Sequence, residues 1–519
     1  MSDNNLDYAC GWVPVEPVGT ITIYLPFLNE KDRERVIVLM TEASRYDHFV
    51  RMLCEEVVAN PTSCELAFLT RIHLEYVSDE NLFGRFYEAH NETEFLRPFV
   101  LRRTNNDFDW ETLAYAAEDE LEKNPPSWIQ FELLIFIHYL AVTNDLGGPI
   151  EHAAKERMAS LLDENPKLGC FKSYYYNQLR CRERFQGQMN EAMKYCRKSL
   201  KLAKKYNDRI REAGDIFMHA DALLVFGNEC EDEQEIHYYL NKATSIFREL
   251  GLKNGLASVL SALHVHSFKR AEFNESLRCN LQRFEFEQEL GKFNTLTARA
   301  TAGAYEEVGR IKDALEWMHI ALESVTQASR LRPILEIDLA QTLIAKGSLS
   351  EAWQYISSGL EGILASGEEM SLGNYYLALG HYERKMGDYE SAMDSFTQSY
   401  EIALHYNRIP RIRFAVQALA ETEVQMLVPT PENMSTPYSG KWMKQFEEMV
   451  YDKGMPGYDG IFLLLEARLR IKQSRFEEAE RIIDKVMDLS KIDRIEYLGD
   501  RALLLLEELA LVRDQMQEY

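Results

Sequence analysis

The stretch YYLALGHYERKMGDYESAMDSFTQSYEIAL, Tyr375 to Leu404, decides the fold. Two helices are legible in it. The first ends near Met386, Gly387-Asp388 makes a turn, and the second starts near Tyr389. In the second, Tyr389, Ala392, Met393, Phe396, Ser399, Tyr400 and Ala403 recur at helical spacing and form one apolar stripe. In the first, Tyr376, Leu379 and Gly380 share a face. Gly380, Ala392 and Ser399 are small residues on these stripes. Small residues let two helix axes approach toward the short end of the usual ~8–10 Å separation. The spacing therefore predicts a tight antiparallel helix pair.

The pattern recurs along the chain. Positions equivalent to Ala392 are Ala352, Ala314, Ser276, Ile236, Ala192 and Ala153, at intervals of 40, 38, 38, 40, 44 and 39 residues. Five residues before each lies a turn position: Gly387, Gly347, Gly309, Ala271, Glu231, Gly187 and Gly148. Glycine dominates, as a short helix–helix turn with positive φ favours. A fixed period of this length means stacked helix pairs that bury their apolar faces against neighbours.

These residues resemble the tetratricopeptide repeat family. The best unit carries Tyr376, Leu379, Gly380, Gly387, Asp388, Tyr389, Ala392 and Phe396, with Ser399 where alanine is usual and Glu383 in place of an aromatic. A second unit matches through Tyr305, Gly309, Ala314 and Ala321, and a third through Leu339, Ala340, Gly347, Ala352 and Gly359. The resemblance covers about Ser127 to Asn407 and returns around Ala479. The usual period is about 34 residues; the period near 40 looks like the variant in sensor regions of bacterial and archaeal transcription regulators and in peptide-binding scaffolds. The resemblance implies an all-α fold, a right-handed superhelix (α-solenoid) of antiparallel helix pairs.

Four segments are expected. Residues 1–110 lack the register and read as a cap or a small, mostly helical domain. Within them GTITIYLPFL, Gly19 to Leu28, alternates like a short strand. Asn29 reads as a helix N-cap with Asp32 in the first turn, and Arg33 to Val58 and Ser63 to Tyr76 look helical. Residues 111–427 form the repeat array. Residues 428–460, with VPTPENMSTPYSG and GMPGYDG, read as a Pro/Gly-rich loop insertion holding one helix, Lys441 to Asp452, after a first helix from Arg411 to Leu427. Residues 461–519 form a last repeat and a closing helix.

The formal net charge of −25 argues against direct nucleic-acid binding and against anionic membranes. No apolar run is long enough to span a bilayer. The eight cysteines form no CxxC and match no zinc spacing, so buried thiols in a cytoplasmic protein are expected. No phosphate loop, HExxH, GxSxG or dinucleotide glycine pattern occurs. His264 and His266, two residues apart, point to different helix faces and cannot share a metal; His264 reads as a packed core histidine. No catalytic residue, metal or cofactor is expected, and the chain is read as a non-enzyme.

The candidate binding surface follows from the register. First helices line the concave side of stacked helix pairs. Their groove-facing positions are Tyr174, Asn177 and Arg184; Asp221 and Asn228; Phe268 and Lys269; Arg299 and Glu306; and Asn374, His381, Arg384 and Lys385. This polar and aromatic mixture suits an extended peptide. The carboxylate clamp of similar repeats that hold chaperone C-termini is not matched by Asn177 and Cys181 or by His138 and Val142. A basic patch, Lys194, Arg197, Lys198, Lys201 and Lys205, shares one face of a helix and reads as a solvated face or a dock for an acidic or phosphorylated segment. The favoured function is a non-catalytic scaffold that binds a protein or peptide in the groove, with self-association into a homo-oligomer left open. The alternative is the effector-sensing module of a transcriptional or signalling regulator whose output domain lies on another chain.

Overall fold

The structure is a computed structural model. It describes residues 19–517 apart from 105–109, 144–147, 187, 227–228, 271, 327–328, 330, 367–368, 407–408, 428–439, 452–457 and 493–495. The expected loop at 428–440 and the turns at Gly187 and Ala271 lie largely or wholly outside the described residues. Every regular element among the described residues is helical.

The chain forms two compact units, Met1–Val259 with Phe286–Lys292, and Leu260–Glu285 with Phe293–Tyr519. The first unit begins with α1 (Gly19–Thr22), α2 (Glu30–Glu42), α3 (Tyr46–Ala59), α4 (Cys64–Val77), α5 (Glu80–His90), α6 (Arg97–Thr104) and α7 (Trp110–Glu122). Helix pairs follow: α8 (Ser127–Thr143) with α9 (Pro149–Glu164), α10 (Lys172–Phe185) with α11 (Met189–Lys205), and α12 (Arg209–Phe226) with α13 (Glu229–Leu250). Next come α14 (Lys253–Lys269) and α15 (Phe273–Glu289). The second unit pairs α16 (Thr295–Glu307) with α17 (Ile311–Glu323), α18 (Arg332–Lys346) with α19 (Leu349–Ser366), and α20 (Leu372–Met386) with α21 (Tyr389–His405). It closes with α22 (Ile409–Met426), α23 (Lys441–Tyr451), α24 (Tyr458–Lys472), α25 (Phe476–Ile492) and α26 (Glu496–Gln517). Within each unit the architecture is an α-solenoid, in which each second helix also packs on the first helix of the next pair.

The opening stretch behaves as its spacing requires. Met386 ends α20 because Gly387 takes φ +84°, which lets the Asp388 N–H reach the Glu383 carbonyl at 3.0 Å. Asp388 then caps α21 by accepting from the Ser391 N–H at 3.1 Å. A methyl group on Gly380 would sit 2.6 Å from the Phe396 ring, so only glycine admits this approach. The Ser399 hydroxyl donates to the Gly373 carbonyl at 2.8 Å. Two hundred residues earlier, Ser199 donates to the Ser173 carbonyl at 2.9 Å, the same device in α10 and α11. Part of the excess over a 34-residue period falls in second helices: α11, α13, α19 and α21 run 17, 22, 18 and 17 residues, while α17 runs 13.

Four sequence expectations need correction. Residues 19–28 form no strand: they make α1 and a 3₁₀ turn, Leu25–Phe27. A lone strand would strand its backbone donors, whereas here the Tyr24, Phe27 and Leu28 N–H groups bond to the Ile21, Tyr24 and Leu25 carbonyls. The segment Arg33–Val58 breaks between α2 and α3, at Ala43 in extended backbone. The register is one residue off in α9, where Ala154 rather than Ala153 is buried, in phase with Glu151, Met158 and Leu162. Glu231 lies inside α13 rather than at a turn. Asn29 caps α2 as expected, accepting from the Asp32 N–H at 2.9 Å.

Candidate functional site

In the second unit, successive first helices are linked by polar side chains on one face. Arg299 on α16 pairs with Asp338 on α18. The Thr342 hydroxyl donates to Glu306 Oε2 at 3.0 Å. Arg384 on α20 reaches Glu421 on α22 at 2.7 Å, and Gln417 donates to the other Glu421 oxygen at 2.9 Å. Arg384 also donates to His381 Nδ1 at 3.0 Å. Three of the four predicted residues in this row that carry charge, Arg299, Glu306 and Arg384, thus meet partners the register did not nominate: Asp338, Thr342 and Glu421. Asn374 is half-buried on α20, and Lys385 is exposed.

The electrostatics of this face are set by burial and by neighbours. Glu306 is pushed up to about 8, by burial and then by the Glu307 carboxylate, while Thr342 and Arg501 on α26 pull the other way. Burial also raises Glu307, against the pull of Arg501. Burial opposes ionisation of Glu421 as well, but Arg384, Gln417 and Arg501 outweigh it and hold Glu421 at about 2. Burial and then Arg384 lower His381 to about 3, so it is neutral.

These two carboxylates give opposite pH dependences. Glu306 binds its proton more tightly in the folded chain than in the unfolded one, so its stabilising contribution is complete below about pH 4.5 and is lost as pH rises toward 8. Glu421 contributes above about pH 4.5 and loses its contribution as pH falls toward 2. Denaturant unfolding followed in the second unit is expected to weaken from pH 5 to pH 8, and Glu306→Gln is expected to flatten that slope. An unchanged slope in Glu306→Gln would remove Glu306 as its source.

Phe268 and Lys269 lie elsewhere, at the end of α14. With His264, Val265, Arg413, Phe414 and Tyr458 they line a cavity of about 190 Å³ in the second unit. Phe268 packs edge-to-face on Phe273 and Phe414, and Arg413 donates to the Lys269 carbonyl at 3.0 Å. His264 Nδ1 sits 2.7 Å from Ser276 Oγ and accepts from the Asn280 amide at 2.9 Å. Burial, then Arg283, lower it to about 4. His264 is the packed histidine that its position in the register implies.

In the first unit, Arg184 on α10 pairs with Asp221 on α12 at 2.8 Å, and Asn177 accepts from Arg180 at 3.1 Å. Asn228 lies outside the described residues. Tyr174 is buried, and its hydroxyl donates to Asp208 Oδ2 at 2.8 Å. Asp208 was legible only as the lone acid in the basic stretch KYCRKSLKLAKKYNDR. It caps α12 by accepting from the Arg211 N–H at 3.0 Å, and the signal that could have found it is its N-cap position. The face also holds Glu132 on α8 and His73 on α4, neither of which the register points to. Burial raises Glu132 to about 7 and lowers His73 to about 3.

The basic patch is one exposed face of α11. Lys194, Arg197, Lys198, Lys201 and Lys205 are all exposed. Lys194 pairs with Glu191 at 2.9 Å, and Lys198 lies over the Tyr176 and Tyr195 rings at 5.2 and 5.3 Å. Among the described residues no cluster of three metal-ligating side chains occurs, and no helix is long and apolar enough to cross a membrane. Of the described cysteines, Cys54, Cys196 and Cys279 are buried, while Cys64, Cys170 and Cys181 are partly accessible.

Stacked helix pairs with a polar row along their first helices define a helical-repeat module of the protein-interaction class. The tetratricopeptide repeat family model matches two stretches of the chain, residues 173–206 and 373–406, which are α10 with α11 and α20 with α21. No curated protein matches the sequence. Among solved structures, the apo form of RapI is similar at 14% identity and a TM-score of 0.40, over 60% of this chain and 99% of that one. A Rap protein complexed with competence and sporulation factor is similar at 14% identity and TM-score 0.40, over 76% of this chain and 99% of that one. A signal-transduction ATPase with numerous domains and a tetratricopeptide repeat sensor, from Pyrococcus horikoshii, is similar at 14% identity and TM-score 0.40, over 83% of this chain and 65% of that one.

Proposed function

We propose that this chain is a non-catalytic interaction scaffold that holds an extended segment of a partner protein along the first-helix face of its repeats. The observation that carries the reading is the row Arg299, Glu306, His381 and Arg384, linked by Asp338, Thr342 and Glu421 from helix to helix. Side chains held by such links present donors and acceptors in fixed positions, so a ligand meets a surface already ordered. The paired charges leave no large single-sign field, which suits a peptide of mixed polarity, and the net charge of −25 disfavours nucleic acid.

The test is selection of peptides from a random library on the full chain, followed by affinity measurement on variants. Peptides selected on the wild type are expected to bind Arg384→Ala and Glu306→Lys about tenfold more weakly or worse, or ~1.4 kcal/mol. Equal affinity of every selected peptide for both variants would sink the assignment to this face.

The cavity lined by Phe268, Arg413, Phe414 and Tyr458 favours a second reading, an effector-sensing module of a regulator with its output domain on another chain. A small effector at a hundred times its dissociation constant would add about 2.7 kcal/mol of stability. A thermal-shift screen of metabolites separates the readings: a stabilising compound whose effect vanishes in Phe268→Ala supports the sensor.

A further inference from the structure

The segment Thr20–Leu28 is built of single turns rather than of a long helix, and it lies against α4, α8, Phe171 and the start of α12. Its central side chain, Tyr24, is fully buried. The Tyr24 ring meets His73 of α4, Trp128 of α8 and Phe171 edge-to-face, at 5.6, 5.7 and 5.2 Å. Its hydroxyl donates to Glu132 Oε1 at 3.0 Å. Four residues earlier, the Thr20 hydroxyl donates to Asp208 Oδ1 at 2.8 Å and accepts from the Ile210 N–H at 3.4 Å, at the start of α12. Four residues later, Leu28 is buried. The segment is also gripped from outside: Arg33 on α2 donates to the Leu25 and Leu28 carbonyls, at 2.9 Å each.

This is the anatomy of a bound peptide. An aromatic anchor fills a socket with a polar group at its base, a hydroxyl engages a helix N-terminus, and an apolar residue follows at a fixed spacing. We infer that the first-helix face of the first unit is a peptide site filled in cis by residues 20–28, and that a partner segment with the same spacing, a hydroxyl residue, a tyrosine four on and a leucine eight on, competes with it. The partner is a protein segment rather than a small molecule, because the socket and the Asp208 contact are recognised together only by a chain long enough to span both. The chain's own arm then keeps the face closed until such a segment displaces it. The inference concerns a different unit from the polar row proposed above, so either can fail alone.

Two measurements on the full chain test it. Hydrogen exchange of the wild type is expected to show amides 21–28 exchanging at least tenfold faster than those of α4, because an arm that exchanges with a competitor opens without the unit unfolding. A labelled peptide of residues 19–28 is expected to bind the full-length Thr20→Val, Tyr24→Ala variant at least tenfold more tightly than the wild type, whose own arm competes at high effective concentration. Either of two results overturns the inference: arm amides as slow as those of α4, which make the arm ordinary core, or a folded variant that binds the peptide no better than the wild type. If the variant does not fold, the exchange measurement decides alone. A concentration-dependent dimer with the arm seated on the second copy would overturn the choice of a foreign segment as the competitor.

Discussion

Asp215→Ala is expected to destabilise the first unit by about 3–5 kcal/mol, the cost of removing one partner from a buried ion pair. Asp215 is completely buried on α12. Its Oδ1 accepts from Arg211 Nη2 at 2.8 Å and Nε at 3.0 Å, and its Oδ2 accepts from the Ser199 hydroxyl at 2.6 Å. Ser199 Oγ also lies 2.9 Å from the Ser173 carbonyl, and its single proton serves either acceptor, so the contact with Asp215 sits where α10, α11 and α12 meet. Without it, the partly buried Arg211 guanidinium loses its main partner. Asp215→Asn keeps an acceptor in place and is expected to cost less, and Ser199→Ala about 1 kcal/mol. A chain of two units need not unfold in one step. The measurement is therefore hydrogen exchange of α10–α12 amides, whose protection should collapse in Asp215→Ala while α18–α21 amides are unaffected. Retained protection in α10–α12 would show that the pair is not what holds these helices.

Phe396→Ala is expected to cost the second unit about 3–5 kcal/mol, as a large aromatic removed from a core does. Phe396 is fully buried and touches the place where Gly380 lacks a side chain. Its ring also meets His381 edge-to-face at 5.0 Å and lies 5.6 Å from the Arg384 guanidinium. The same side chain therefore sets the helix spacing and supports two residues of the polar row. Gly380→Ala approaches the problem from the other side: the added methyl is expected to cost about 1–3 kcal/mol by overpacking. Phe396→Leu in that background should recover part of the loss, because the smaller side chain vacates the space the methyl needs. Denaturant unfolding of the three variants checks this. Additive losses would mean that the two residues do not share the contact.

The contacts of the opening stretch were legible because they are local in the repeat. Gly380, Gly387, Asp388, Ala392 and Ser399 each do what a helix pair requires within 30 residues of chain, and the period of about 40 multiplies that reading along the sequence. His264 was legible for the same reason: it stands in the Gly380 position of its unit, and it packs there on Ser276. The register put Arg299, Glu306, His381 and Arg384 on the groove-facing side of first helices, and the structure bonds Arg299, Glu306 and Arg384 to neighbouring first helices. It could not name Asp338 or Glu421, because each partner lies 37 to 39 residues away and any of several acids would satisfy the pattern. Residues 19–28 were misread, since alternating Thr and Ile fits a strand equally well when nothing says what lies beside them.

The sequence by itself therefore determined the helix pair, its period, the turns at Gly347 and Gly387, and the glycine at position 380. These follow from backbone geometry and from side-chain size at helical spacing, which act between near neighbours and repeat. Only the tertiary structure decided where the charges find their partners, why Asp208 matters, and that Tyr24 fills a socket built from α4, α8 and Phe171. Those contacts join residues up to 188 positions apart. Their strength depends on burial, which raises Glu132 and Glu306 and lowers His73 and His381. Burial is a property of the packed chain, and no local pattern carries it.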